Sequence, residues 1–154
     1  MKKLIYTLLI IIALTNNSYS AGSSDDSDST PKVSDYTKAK NLIKAAKKYE
    51  KKDKIEKAQK RYAKAQKLLL KSNKKKPLQA DTLNYLGFTT RKLGDYEGGE
   101  KFYLQGLNIE PNHNGINEYL GELYVVTNRM DMAKERLEVL KTCNCEEYDE
   151  LKEI

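Results

Sequence analysis

The chain has 154 residues, with 28 Lys+Arg against 22 Asp+Glu and a formal net charge of +6; it holds one His, two Cys, no Trp and eleven Tyr. That length suits one small domain. A lone His excludes a multi-His metal site, and the scarcity of catalytic side chains counts against most enzyme classes. The sequence therefore reads as a non-enzyme, with no cofactor and no metal expected.

Residues 1–20, MKKLIYTLLIIIALTNNSYS, open on Lys2 and Lys3, continue as an apolar run from Leu4 to Leu14 broken only by Thr7, and end in small residues, Ser18 and Ser20. This is the three-part layout of a secretory signal peptide, with cleavage expected after Ser20. The alternative is a retained N-terminal membrane anchor, but the run is about 11 residues long where a spanning helix needs roughly 20. Export would place the protein in the periplasm or outside the cell. Residues 21–31, AGSSDDSDSTP, carry no large apolar side chain and cannot offset the entropy of ordering. They predict a disordered linker reaching to residue 33, with the folded domain over 34–154.

Charge divides unevenly along that domain. Lys32 to Pro77 holds 18 Lys+Arg and 4 Asp+Glu, a local +14, whereas Leu78 to Ile154 holds 8 and 15, a local −7. A basic block of this kind attracts anionic polymers or lipid head groups. The plainer reading is a solvated helical face whose Lys stems lie along the core.

Three helix pairs and a cap follow in order. In the first, about 39–77, Leu42, Ala45, Ala46 and Tyr49 share one helical face. Lys52-Asp53-Lys54-Ile55 reads as a turn, and Ala58, Tyr62, Ala65 and Leu69 stripe a longer second helix that stops before Pro77. In the second, about 80–113, Leu83, Leu86 and Gly87 share a face, Leu93-Gly94-Asp95-Tyr96 supplies a left-handed stop and a cap, and Tyr96, Gly99, Tyr103 and Leu107 stripe the next helix up to Pro111. In the third, about 114–147, the stripes are Tyr119, Leu120, Leu123, Tyr124 and then Ala133, Leu137, Leu140, with Asn128 able to turn left-handed between them. Tyr-Leu-Gly at 85–87 recurs at 119–121, a spacing of 34. Gly87, Gly99, Gly106, Gly121 and Ala133 mark expected close approaches, because Gly costs a helix about 1 kcal/mol relative to Ala. Glu146 to Leu151 predicts a short capping helix within 146–154.

These residues resemble the tetratricopeptide repeat (TPR) family. The strongest match runs from Leu83 to Pro111 through Leu86, Gly87, Gly94, Asp95, Tyr96 and Tyr103, and a second runs from Asn117 to Leu140 through Leu120, Gly121, Tyr124, Ala133 and Leu137. The chain departs from the family pattern at Leu83 and Asn117, where Trp is usual, at Thr90, where Tyr is usual, and at Cys145, where the helix-ending Pro is usual. The resemblance spans roughly 39–147. The stretch from Leu83 to Leu151 also resembles small exported proteobacterial TPR proteins. The resemblance implies an all-α fold, a short right-handed α-solenoid of about three helix pairs plus a C-terminal capping helix. It further implies a non-catalytic scaffold or adaptor that binds proteins through its concave groove.

The groove candidates are Lys47, Asn84, Phe88, Arg91, Glu118, Glu122 and Val125, with Ile43 beside them. The carboxylate clamp of chaperone-binding members needs Lys, Asn and Arg at set points. Only Asn84 and Lys47 have suitable chemistry here, and the acidic third unit would repel a terminal carboxylate. An extended protein or peptide segment with a basic end and an apolar anchor fits better. The alternative function is electrostatic attachment to an anionic envelope surface through the Lys-rich first pair, Lys44 to Lys76. No nucleic-acid partner is expected, because Tyr49, Tyr62, Tyr85, Tyr103, Tyr119 and Tyr124 fall on core stripes rather than forming a stacking platform.

Cys143-Asn144-Cys145 is the one reactive constellation. In an exported protein it reads as an intramolecular disulfide, as free or intermolecular thiols, or as a soft-metal or redox site that lacks a third ligand. His113, after Pro111-Asn112, is expected in a solvent-exposed loop.

Overall fold

The computed structural model describes residues 33–154. The expected signal peptide, and the expected linker as far as residue 32, lie outside the described residues. The described residues form seven helices and no strand: α1 (Asp35–Glu50), α2 (Ile55–Lys75), α3 (Ala80–Lys92), α4 (Tyr96–Ile109), α5 (Asn114–Val126), α6 (Met130–Leu140) and α7 (Glu146–Lys152). They pack as successive antiparallel pairs, α1 with α2, α3 with α4 and α5 with α6; α7 lies on α5 and α6. This is the all-α array of successive helix pairs with a C-terminal cap that the sequence predicts. None of the described helices is long and apolar enough to cross a membrane.

Local chemistry sets the boundaries. Ser34 Oγ accepts from the Thr37 amide at 3.1 Å and caps α1, while Asp35 in the first turn complements the helix dipole. The helix thus starts four residues ahead of position 39. Its buried residues are Ala39, Ile43 and Ala46; Leu42 and Tyr49 are only half-buried, so the core face is centred one residue round from the expected stripe. In α2 the buried set is Ala58, Tyr62, Ala65 and Leu69, as predicted. Its end is tied back to the start of α1, with Lys71 and Lys75 Nζ at 3.7 and 2.7 Å from Asp35 Oδ2.

Both predicted stops adopt left-handed backbone: Gly94 has φ 96° and Asn128 φ 59°. Asp95 Oδ1 accepts from the Gly98 amide at 2.8 Å and caps α4. Tyr96, expected on the α4 core stripe, is exposed instead. It occupies the first position of the helix, on an open cleft beside Arg91 and Lys92. His113 is likewise no exposed loop residue. It caps α5, its Nδ1 accepting from the Ile116 amide at 3.2 Å, with Nε2 3.3 Å from Asp81 Oδ1.

The buried side chains fall into two clusters. One joins α1, α2 and α3 around Tyr62, Leu69, Leu83, Leu86 and Phe88; the other joins α4, α5 and α6, with Ala80 of α3, around Tyr103, Ile116, Leu120, Leu123 and Tyr124. Tyr119 packs against both. At the far end Leu151 of α7 seats over Gly121. A disulfide between Cys143 and Cys145, with Cα atoms 5.2 Å apart, closes the turn between α6 and α7.

Candidate functional site

The first helices of the three pairs, α1, α3 and α5, meet in one aromatic and charged seam. Lys47 of α1 donates from Nζ to the Tyr119 hydroxyl of α5 at 3.0 Å. The same ammonium lies 4.9 Å from the Phe88 ring centroid and 5.1 Å from that of Tyr119. From α3, the Arg91 guanidinium lies 5.7 Å from the Phe88 centroid and 5.9 Å from that of Tyr119, and pairs with Glu122 of α5. Lys92 lies 5.7 Å from the Phe88 centroid as well, so three cations surround Phe88 and two of them also face Tyr119, the two ring centroids being 4.8 Å apart. Cations over aromatic faces contribute about 0.5–2 kcal/mol each, most where water is excluded.

Five of the seven groove candidates, Lys47, Phe88, Arg91, Glu118 and Glu122, belong to this seam or adjoin it. Their accessibility differs from the expected open groove. Phe88 is 2% exposed, Glu118 3%, Asn84 5% and Arg91 7%. The close approach of α1, α3 and α5 turns Phe88 from an anchor for a partner into core. Asn84 is buried between α3 and the start of α5, its amide against Gly115. Val125 stands apart from the seam, in a cleft of about 140 Å³ shared with Met130, Ala133, Leu137 and Leu151. What remains open to a partner is the rim: Lys47, Tyr85, Tyr119 and Glu122, all half-buried.

Glu118 is the chemically unusual member. Burial pushes its carboxyl up to about 9, helped by a hydrogen bond with Glu150 of α7 and by the negative charges of Glu122 and Glu150. It is therefore neutral at pH 7, which corrects its expected role as a fixed negative charge for a basic partner. Burial also raises the Tyr119 phenol, so both groups stay uncharged beside Lys47 and Arg91. No nucleophile–base pair occurs in this seam, and among the described residues no group of three His, Cys, Asp or Glu is placed to hold a metal ion.

Sequence reasoning assigned Tyr85 and Tyr119 to the core and overlooked them as rim residues. The signal was present: each directly follows a groove candidate, Asn84 or Glu118, at the same place in the 34-residue period. Glu150 was missed because a helix cap offers no repeat partner to compare.

No family model matches the chain, and no curated protein matches it. Among solved structures the chain is similar to one described as the first TPR of Spaghetti (RPAP3) bound to the HSP90 peptide SRMEEVD. That similarity has 20% sequence identity and a TM-score of 0.49, covering 78% of this chain and 92% of that one.

Proposed function

We propose that residues 34–154 form a non-catalytic scaffold that binds a protein or peptide segment along the face of α1, α3 and α5. The observation that carries this reading is the seam itself. It draws Lys47, Tyr85, Tyr119 and Glu122 from three different helices to one half-exposed rim, and Tyr is among the residues that most often anchor protein partners. The rim is basic at the α1 end and acidic at Glu122. A segment with an acidic group near Lys47 and a basic group near Glu122 complements it. Residues 1–20 add the proposal of export, so that the partner is met in the envelope or outside the cell. A mature protein whose mass begins at Ala21 is the expected result.

The binding test uses a photo-crosslinking side chain at two exposed positions. Val126, 59% exposed, ends α5 beside the rim; Leu104, 44% exposed, lies on α4. A protein crosslinked from position 126 and not from 104 is expected, and its affinity should fall about tenfold or more with Glu122→Lys. Equal capture from both positions, or an affinity indifferent to Glu122→Lys, refutes the reading.

A further inference from the structure

We propose that this chain associates head to tail with a second copy of itself, the acidic outer stripe of α7 on one copy docking on the basic outer stripe of α2 on the next. The proposal does not depend on the groove reading.

The two stripes match in spacing and oppose in sign. Lys57, Lys60, Arg61 and Lys64 follow one another at i, i+3, i+4 and i+7, as do Glu146, Asp149, Glu150 and Glu153. Residues so spaced line a single side of a helix. In α2 that side flanks buried Ala58, Tyr62 and Ala65 and borders the cleft toward α1; in α7 it lies away from buried Leu151. All four acidic residues are exposed. Among the described residues none of the eight takes part in an ion pair. Each stripe therefore holds like charges side by side, a repulsion that an opposite stripe relieves.

The two stripes do not meet within one molecule. α2 packs on α1 and α3, whereas α7 packs only on α5 and α6. They mark the two ends of the array of pairs, so one copy's tail reaches the next copy's head by translation along the array.

The basic end also offers more than charge. Lys57, Lys60, Arg61 and Lys64 rim a cleft of about 330 Å³ that runs between α1 and α2 and is floored by Leu42 and Tyr49. The Arg61 guanidinium rests 5.0 Å from the Tyr49 ring centroid and holds that ring in place. At the acidic end Ile154, 58% exposed, follows Glu153 and borders the cleft that holds Val125 and Leu151. Exposed ion pairs are individually weak and screened by salt, so the association is expected to be weak and salt-sensitive. Because the contact joins different surfaces, it adds copies in a row rather than stopping at a dimer.

Sedimentation equilibrium of the full chain tests this with two charge-reversed variants. One carries Lys57→Glu, Lys60→Glu and Lys64→Glu; the other carries Glu146→Lys, Asp149→Lys and Glu153→Lys. Arg61 and Glu150 are left alone because each has a partner within the molecule. At about 0.05 M salt the unaltered chain should rise in average mass with concentration. It should fall back toward the monomer at about 0.5 M, where the screening length is below about 5 Å. Each variant alone should stay monomeric, and an equimolar mixture of the two should regain association, since each then offers the other a complementary stripe. Restored association also shows that both variants are folded. A monomeric unaltered chain at low salt overturns the proposal, as does association that survives either reversal. Binding of a monomeric chain to vesicles of anionic lipid, lost in the α2 variant and kept in the α7 variant, also overturns it and assigns the basic stripe to a membrane surface.

Discussion

Gly87 of α3 lies against the buried ring of Tyr103 of α4: a Cβ added at Gly87 would meet three carbons of that ring. The contact locks the second helix pair and gives the glycine its reason. Gly87→Ala gains about 1 kcal/mol of helix propensity but overpacks a fully buried aromatic, which costs roughly 1–3 kcal/mol. A net destabilisation of about 1 kcal/mol is expected. Gly106 is the control. A Cβ there meets the terminal Cδ1 of Ile116, the free end of a flexible side chain that can turn aside. Gly106→Ala should be neutral or slightly stabilising. Urea midpoints of the two variants, compared at unchanged m, separate the cases. Equal midpoints would show that the Tyr103 ring yields as easily as the Ile116 methyl.

The raised pKa of Glu118 makes stability depend on pH with a defined sign. The unfolded carboxyl titrates near its usual 4.5 and the folded one at about 9, so between these values the folded chain holds a proton that the unfolded chain has lost. Stability contributed by this group is fully present below about 4.5 and falls as pH rises toward 9, with a slope of at most about 1.4 kcal/mol per pH unit. Glu118→Gln, which keeps the shape without the charge, should flatten that slope and raise stability at pH 8. Denaturation curves at pH 5 and pH 8 for both chains measure it. An unchanged slope in the variant would assign the dependence elsewhere.

Reduction of the Cys143–Cys145 bridge should cost little. The closed loop holds only three residues, and chain-entropy estimates for so small a loop come to under about 2 kcal/mol. The effect should be confined to the turn and α7, whose single fully seated apolar side chain is Leu151. Thiol titration of the denatured chain should find no free thiol before reduction and two after it. Hydrogen exchange should show faster opening of α7 amides in the reduced protein while α3 amides stay protected.

Much of this architecture is legible locally. The Tyr-Leu-Gly period, Gly94-Asp95 and Asn128 place the second and third pairs because stops and caps are decided by the residue at the spot. The face of α1 was read one residue off. Leu42, Ile43, Ala46 and Tyr49 are all compatible with a stripe, and only the positions of α2 and α3 decide which of them are covered. His113 escaped because a His cap is chemically possible through Nδ1 but falls outside the usual Ser, Thr, Asp and Asn set. The seam was half legible. Repeat spacing brought Lys47, Phe88, Arg91, Glu118 and Glu122 to one face, but their burial follows from how closely three helices approach, which no single helix pattern records. The neutral state of Glu118 follows chiefly from its burial, with Glu150, on an element outside the repeat, adding to it.

Among the described residues Tyr119 packs against both buried clusters, and its hydroxyl is held by Lys47 of the opposite end. In a stack where each helix pair otherwise touches only its neighbours, free energy is close to a sum of local terms, and cooperativity must come from whatever spans the junctions. Tyr119 is such a span. It couples the first pair to the third, which favours loss of structure as one unit over peeling from an end. Shortening that single ring would loosen the first pair from the third, while the Gly87–Tyr103 contact still ties α3 to α4.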